Sequence, residues 1–323
     1  MALELRPFRP ADYPALAALQ VACEPEHPLS EAHWRHEDSL ADERVKRGRV
    51  VATGAGELIG YAGFMQFSLM YHPRRFVLYG GVAPSARGRG VGRALYAWLL
   101  EALAPSAPEA LGAGLWSQQA EGEAWLARRG YSERLREIES ALDFADFDPP
   151  AWTAAQARGE AAGVRLVNLT ELGDTEVWRR RLYDLDMDFS TDIPMTGALT
   201  PPDFAIYAHL YFACPGFQPE LCWLALASGP RPADAEPVGL CWHALAPAAG
   251  ELETIVSGVR RDWRGRGVAL ALKSRALADA KARGFTRVAT RNAATNAGML
   301  AVNTRLGYRP ISARLIMEKE LSA

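Results

Sequence analysis

Apolar and polar positions alternate over Leu3-Glu4-Leu5-Arg6-Pro7-Phe8, the period of a half-buried strand. Asp12 then stands as an N-cap before the helical run Tyr13 to Leu19. Val50-Val51-Ala52 and Leu58 to Phe64 flank the glycine-containing turn Thr53 to Glu57, which predicts a hairpin. Phe76 to Tyr79 is a further strand. Val91, Leu95, Trp98, Leu99 and Ala102 then fall at helical spacing until Pro105 ends the run. A short apolar segment at Leu115-Trp116 and a helix through Ala124-Trp125-Leu126, closed at Gly130, complete the first half.

The pattern then begins again. Val164 to Val167 predicts a strand and Glu176 to Leu185 a helix. Val82-Ala83-Pro84-Ser85-Ala86-Arg87-Gly88-Arg89-Gly90-Val91-Gly92 has a second version in Val259-Arg260-Arg261-Asp262-Trp263-Arg264-Gly265-Arg266-Gly267-Val268-Ala269. The valines are 259 − 82 = 177 positions apart, and Gly130-Tyr131 and Gly307-Tyr308 repeat the interval, 307 − 130 = 177. One interval shared by two landmarks identifies an internal duplication. The opening strands are only 164 − 3 = 161 apart, so the second half carries 177 − 161 = 16 extra residues before its turn. Asp192 to Pro202 and a longer hairpin loop, Ser228 to Pro237, account for them and are candidate sites of substrate-specific contacts.

These patterns predict an N-terminal domain over residues 1–150, a linker over 151–162 and a C-terminal domain over 163–323. A chain of 323 residues suits two domains, each large enough for its own core. A net charge of −2 argues against nucleic acid, which needs a basic face. No run approaches the roughly 20 apolar residues of a membrane span. Met1-Ala2-Leu3-Glu4-Leu5-Arg6 carries no signal of export, so the expected location is cytoplasmic. Cys23, Cys214, Cys222 and Cys241 lack metal-site spacing and read as reduced thiols. His33 and His36, with Asp38 nearby, read as solvated side chains, and the tryptophans as packing.

Each repeated turn lies between a strand and a helix. A helix N-terminus presents unpaired amide N–H groups and partial positive charge. Glycines let backbone approach an anion closely. Arg87 and Arg89, or Arg264 and Arg266, add charge-assisted bonds, which makes each turn a pyrophosphate cradle. A Rossmann site would have its glycines early in the chain and a P-loop would end in G-K-[ST]; neither copy does.

Arg-x-x-Gly-x-Gly at 87–92 and Arg-x-x-Gly-x-Ala at 264–269 resemble the acetyl-CoA pyrophosphate motif of the GNAT N-acetyltransferase superfamily. Thr290-Arg291-Asn292, followed by Asn296 to Tyr308, resembles that family's last strand and CoA-side helix. The likeness covers nearly the whole chain as two fused copies, similar in organisation to mycothiol-synthase-like tandem acetyltransferases. It implies an α/β fold, each copy a twisted, mostly antiparallel mixed sheet flanked by helices, with its central strands splayed around acetyl-CoA. The backbone of Val82 or Val259 would pair with the pantetheine arm. Arg87, Gly88, Arg89, Gly90, Val91, Gly92 and Arg93, or Arg264, Gly265, Arg266, Gly267, Val268 and Ala269, would hold the pyrophosphate. Asn292, Asn296 and Asn303 would line the CoA side of the second copy, and Gln119 stands in register with Asn296.

Acetyl transfer to an amine needs a group to take the proton of an ammonium whose pKa is roughly 10.4. Family members often use a carboxylate on the strand before the turn. Of Glu251 and Glu253, Glu253 is the choice, expected to share a strand face with Ile255 and Ser257. Phe76 to Gly80 offers no carboxylate. The tyrosine that many members use as acid is replaced by Leu126 and Asn303; Tyr79, Tyr131 and Tyr308 are candidates only by type. The resemblance therefore implies a catalytic C-terminal copy and a degenerate N-terminal one, with a small-molecule or peptide amine as acceptor. A CoA-binding protein without chemistry and a transferase of longer acyl groups stand as alternatives.

Overall fold

A computed structural model describes residues 3–227 and 235–321. Most of the expected hairpin loop Ser228 to Pro237, residues 228–234, lies outside them. The chain divides into two compact units: residues 1–135, 196–202 and 314–323, and residues 136–195 and 203–313.

The first unit runs β1 (Leu3–Pro7), α1 (Tyr13–Cys23), α2 (Glu31–Ser39), β2 (Arg47–Gly54), β3 (Glu57–Met65), β4 (Arg75–Val82), α3 (Val91–Leu103), β5 (Ala110–Trp116) and α4 (Ala120–Ala127). The second takes most of β6 (Ser132–Asp143), then α5 (Thr153–Ala161), β7 (Val164–Asn168), α6 (Glu176–Ser190), α7 (Phe204–Phe212), β8 (Cys222–Ala227), β9 (Pro237–Leu245), β10 (Glu251–Val259), α8 (Val268–Ala282), β11 (Arg287–Ala293) and α9 (Ala297–Leu306). The last strand, β12 (Arg309–Glu320), crosses back at Arg314.

Sheet order is β1-β2-β3-β4-β5-β12 in the first unit and β6-β11-β10-β9-β8-β7 in the second. The units therefore do not coincide with the halves of the sequence. β6 leaves the first half to pair with β11, Arg291 opposite Glu139, and β12 pairs with β5, Arg314 opposite Trp116. Each sheet is completed by a strand from the other repeat. Register-matched strands of a duplication can satisfy the same ladder in either copy.

The expected linker also belongs to the second unit. A Cβ on Gly159 would stand 2.7 Å from the Ala271 side chain, so α5 packs closely on α8. That cover explains why α8 is buried at Leu270, Ala271, Leu272 and Ser274 as well as along one stripe, whereas α3 buries only Val91, Leu95, Leu99 and Leu103.

In each sheet the central parallel pair is short. β4 and β5 pair only over Arg75–Leu78 and Ala110–Ala113; β10 and β11 pair only over Glu251–Glu253 and Arg287–Ala289. Both strands of each pair continue beyond, leaving an opening between them. No described helix is long and apolar enough to cross a membrane.

Candidate functional site

The two turns are built alike. Each strand ends in a valine, a short 3-10 helix follows (Pro84–Ala86 or Arg261–Trp263), and a glycine caps the next helix. Gly88 and Gly90 have φ of 73° and 85°, and Gly265 and Gly267 have 76° and 85°. No Cβ added at Gly267 would meet anything within 4 Å, so the left-handed backbone, rather than space, requires glycine there. Neither glycine cap has a side chain to bond the first turn. The first helical bonds are Ala94 N–H to Gly90 C=O and Ala271 N–H to Gly267 C=O. The amides of residues 91–93 and 268–270 precede them and point at the mouth of each turn.

The strand edges are ready for a ligand arm as well. Ala83 N–H donates to Ile59 C=O and Arg260 N–H to Val238 C=O. Strand alternation therefore turns the N–H and C=O of Val82 and Val259 toward the openings. The first arginine of each turn folds back on that edge: Arg87 Nε donates to Val82 C=O at 3.3 Å and Arg264 Nε to Val259 C=O at 2.9 Å. Both guanidinium groups remain partly exposed. Arg264 also faces Asp192 at 2.7 Å, and Arg261 pairs with the same carboxylate. Arg87 lies 3.8 Å from Glu121. Arg266 stacks over the Trp263 ring. The donor set suits a diphosphate: free amides, a left-handed cap and movable guanidiniums converge at one mouth.

The asparagines take local roles. Asn296 caps α9, its Oδ1 accepting from Met299 N–H at 3.2 Å. Asn303 Nδ2 donates to Asn292 Oδ1 at 2.6 Å, leaving the buried Asn303 Oδ1 without a protein partner. Gln119 accepts from Trp116 N–H and donates to Glu24.

Glu253 is the last residue of β10 still paired with β11, opposite Ala289, so it stands at the apex of the opening. Its Oε1 accepts from Arg291 Nη2 at 2.8 Å. Among the described residues, Oε2 accepts no hydrogen bond. The face expected to be shared with Ser257 is not shared. Pairing with β9 slips between Thr254 and Val256. After this bulge Ser257 stands opposite Cys241, in the cluster under α8, whereas Glu253 stands opposite Ala244, on the face where Trp242 stacks against Phe212 of α7. One extra residue reverses the alternation.

The tyrosines considered as acids are packed. Tyr131 and Tyr308 are buried, and burial pushes both hydroxyls far above their usual range. Tyr79 accepts from Arg49.

In the first unit a strap crosses the opening. Cys23 Sγ donates to Val82 C=O at 3.5 Å on one lip. On the other, Gln119 and Gln118 donate to Glu24 and Glu26, and His27 stacks on Trp116 with centroids 3.4 Å apart. Buried Gln20 fixes the strap by bonding His27 C=O and Leu29 N–H. Sequence reading missed both the strap and the bond from Arg291 to Glu253. The strap's contacts span roughly ninety residues, and no local pattern signals them.

The family model for the acetyltransferase (GNAT) family matches residues 13–113 and 180–308. No curated protein matches the sequence. Among solved structures, a GCN5-related N-acetyltransferase from Sphaerobacter thermophilus matches with TM-score 0.70 and 24% identity, over 98% of this chain and 95% of that one. A tandem GNAT protein from the clavulanic acid biosynthesis pathway, solved without AcCoA, matches with TM-score 0.76 and 18% identity over 100% and 99%. The glucosamine N-acetyltransferase region of a fungal multi-domain β-N-acetylglucosaminidase matches with TM-score 0.72 and 16% identity, over 98% of this chain and 38% of that one. At these identities the likeness is one of fold. Two family matches, two cradles in register and two splayed sheets agree: the chain belongs to the GNAT acetyltransferase family, in its tandem form.

Proposed function

We propose that this protein is an acetyl-CoA-dependent N-acetyltransferase that modifies a primary amine of a small molecule or peptide in a ternary complex, with the second unit as the working copy. The observation that carries this reading is Glu253, held by Arg291 at the apex of an opening whose mouth is a diphosphate cradle. Family members generally use acyl-CoA, which supplies an activated thioester.

The second unit's residues divide the work. Arg264 and the amides of residues 268–270 hold the diphosphate, and the edge of Val259, whose C=O Arg264 now bonds, pairs with the pantetheine arm as Arg264 turns to the phosphates. The open Oε2 of Glu253 takes the proton that the amine loses, directly or through water, as the N–C bond forms and the C–S bond breaks. Asn303, where many relatives have tyrosine, has no proton to give at this pH, so the departing sulfur takes its proton from water. The first unit has no carboxylate on β4, and its strap bridges both lips of the opening. It is the degenerate copy.

The test is thiol release from acetyl-CoA in the presence of an amine panel of spermidine, glucosamine, tyramine and short peptides. One or more amines should stimulate release, and Glu253→Gln should lower that rate about 100-fold. Tight acetyl-CoA binding without amine-dependent thiol would instead identify a CoA-binding protein.

A further inference from the structure

Strand exchange places residues from one repeat inside the other's site. On β11, Arg291 follows Ala289 by two residues and shares the face of Glu253. β6 runs antiparallel on the other side, with Glu139 directly opposite Arg291 and Glu137 opposite Ala293. Directly opposed side chains in such a pair lie about 5 Å apart at Cβ. Glu139 is buried. Burial works against the charged form of Arg291, but Glu253, Glu137 and Glu139 outweigh it and its pKa is raised. One guanidinium thus bonds the apex carboxylate on β10 and lies in the field of two carboxylates on β6.

The first unit lacks every member of this set. Its pairing places Val77 where the second unit has Glu253. Subtracting 177 from 291 gives Gly114, and adding 177 to 137 and 139 gives Arg314 and Ile316. Gly114 leaves a gap that the Arg314 side chain fills: a Cβ there would stand 3.0 Å from Arg314 Nε. The charged chain therefore goes with the base, not with the fold.

We propose that Glu139, carried on a strand from the first half of the chain, is a positioning residue of the second unit's transfer site: it fixes Arg291, which fixes the Glu253 carboxylate and leaves Oε2 facing the opening. The inference rests on the reading of Glu253 as the base. It makes the first repeat necessary for chemistry in the second even though its own opening is strapped.

The test uses the full chain, saturated with acetyl-CoA, and the panel amine that releases most thiol, with kcat read separately from the acceptor KM. Glu139→Gln should lower kcat at least fivefold and leave the acceptor KM and acetyl-CoA affinity within twofold, and Glu139→Asp should restore kcat. Arg291→Lys, which keeps the charge without the fork, should fall between wild type and Arg291→Gln. Wild-type kcat in Glu139→Gln, or a loss that Glu139→Asp does not restore, overturns the inference alone. Wild-type turnover in Glu253→Gln overturns the assignment of the base, and the inference with it.

Discussion

The two units keep the same turn and differ in the side chains placed around it. Glycines in the same left-handed conformation and the same arginine-to-valine bond recur in both. Around them the second unit has a bulged β10, an apex carboxylate and a guanidinium bonded to it. The first has an unbroken β3–β4 ladder, leucine at the apex and a strap across the lips. A short phosphate-binding turn is held by local backbone geometry and survives duplication. Chemistry needs several side chains from different strands and is lost when any one drifts.

The comparison also reaches the cores. Lys273 and Tyr308 of the second unit correspond, 177 residues back, to Tyr96 and Tyr131, whose hydroxyls lie 3.4 Å apart. Lys273 is buried with no partner at Nζ, 5.3 Å from the centre of the Tyr308 ring. Beside it, His243 bonds Thr254 and approaches Cys241. Burial, aided by Lys273, pushes the His243 pKa down from 6.5 to about 3, and burial also lowers that of Lys273.

The sharpest way to break the comparison is to truncate the two cradle arginines. Arg264→Ala should lower turnover about 100-fold, since a charge-assisted phosphate contact is worth roughly 1.5–3 kcal/mol and misplacement adds to it. Arg87→Ala should leave turnover within about twofold of wild type. The reverse ranking, read by thiol release, would make the first unit the enzyme.

Acid should unfold the second unit before the first. His243 is neutral in the fold, while the unfolded chain protonates it below 6.5. Stability from this residue is thus complete above about pH 6.5 and falls as pH drops toward about 3, by up to about 1.4 kcal/mol per pH unit. Thermal melts between pH 7 and 4 should show one transition moving first, and His243→Gln should flatten its slope. Lys273→Met, which removes a buried unpaired amine, should raise the same transition by about 1 kcal/mol or more, visible as a higher Tm at pH 7.

The smallest effect concerns Asp192. It holds Arg261 and Arg264 at the cradle that a diphosphate would occupy, so Asp192→Asn should tighten acetyl-CoA binding about two- to fivefold at low salt. Calorimetry showing weaker binding would mean that Asp192 orients the arginines rather than competing for them.

Much of this was legible in the sequence because its causes are local. The helical stripe Val91, Leu95, Leu99 lies where its spacing predicts, as does the hairpin between β2 and β3. Glu253 was reachable as the carboxylate before the second turn. Its strand face was not, because a bulge reverses alternation and leaves no mark in the Thr254-Ile255-Val256 composition. The limits of the two compact units were not legible for a similar reason. The small residues of 151–162 read as a tether, yet Ala155 and Gly159 are what let α5 lie close on α8.

The sequence by itself determined the duplication, the two cradles and the identity of the elements, since each follows from residue spacing, glycine backbone freedom and helix-end electrostatics. Only the tertiary structure decided which copy receives which closing strand, and with it that Glu139 faces Arg291 and Arg314 faces Trp116. Ladder hydrogen bonds are alike in both repeats, so the partner of each strand is fixed by side chains brought together across long separations, which no window of sequence contains.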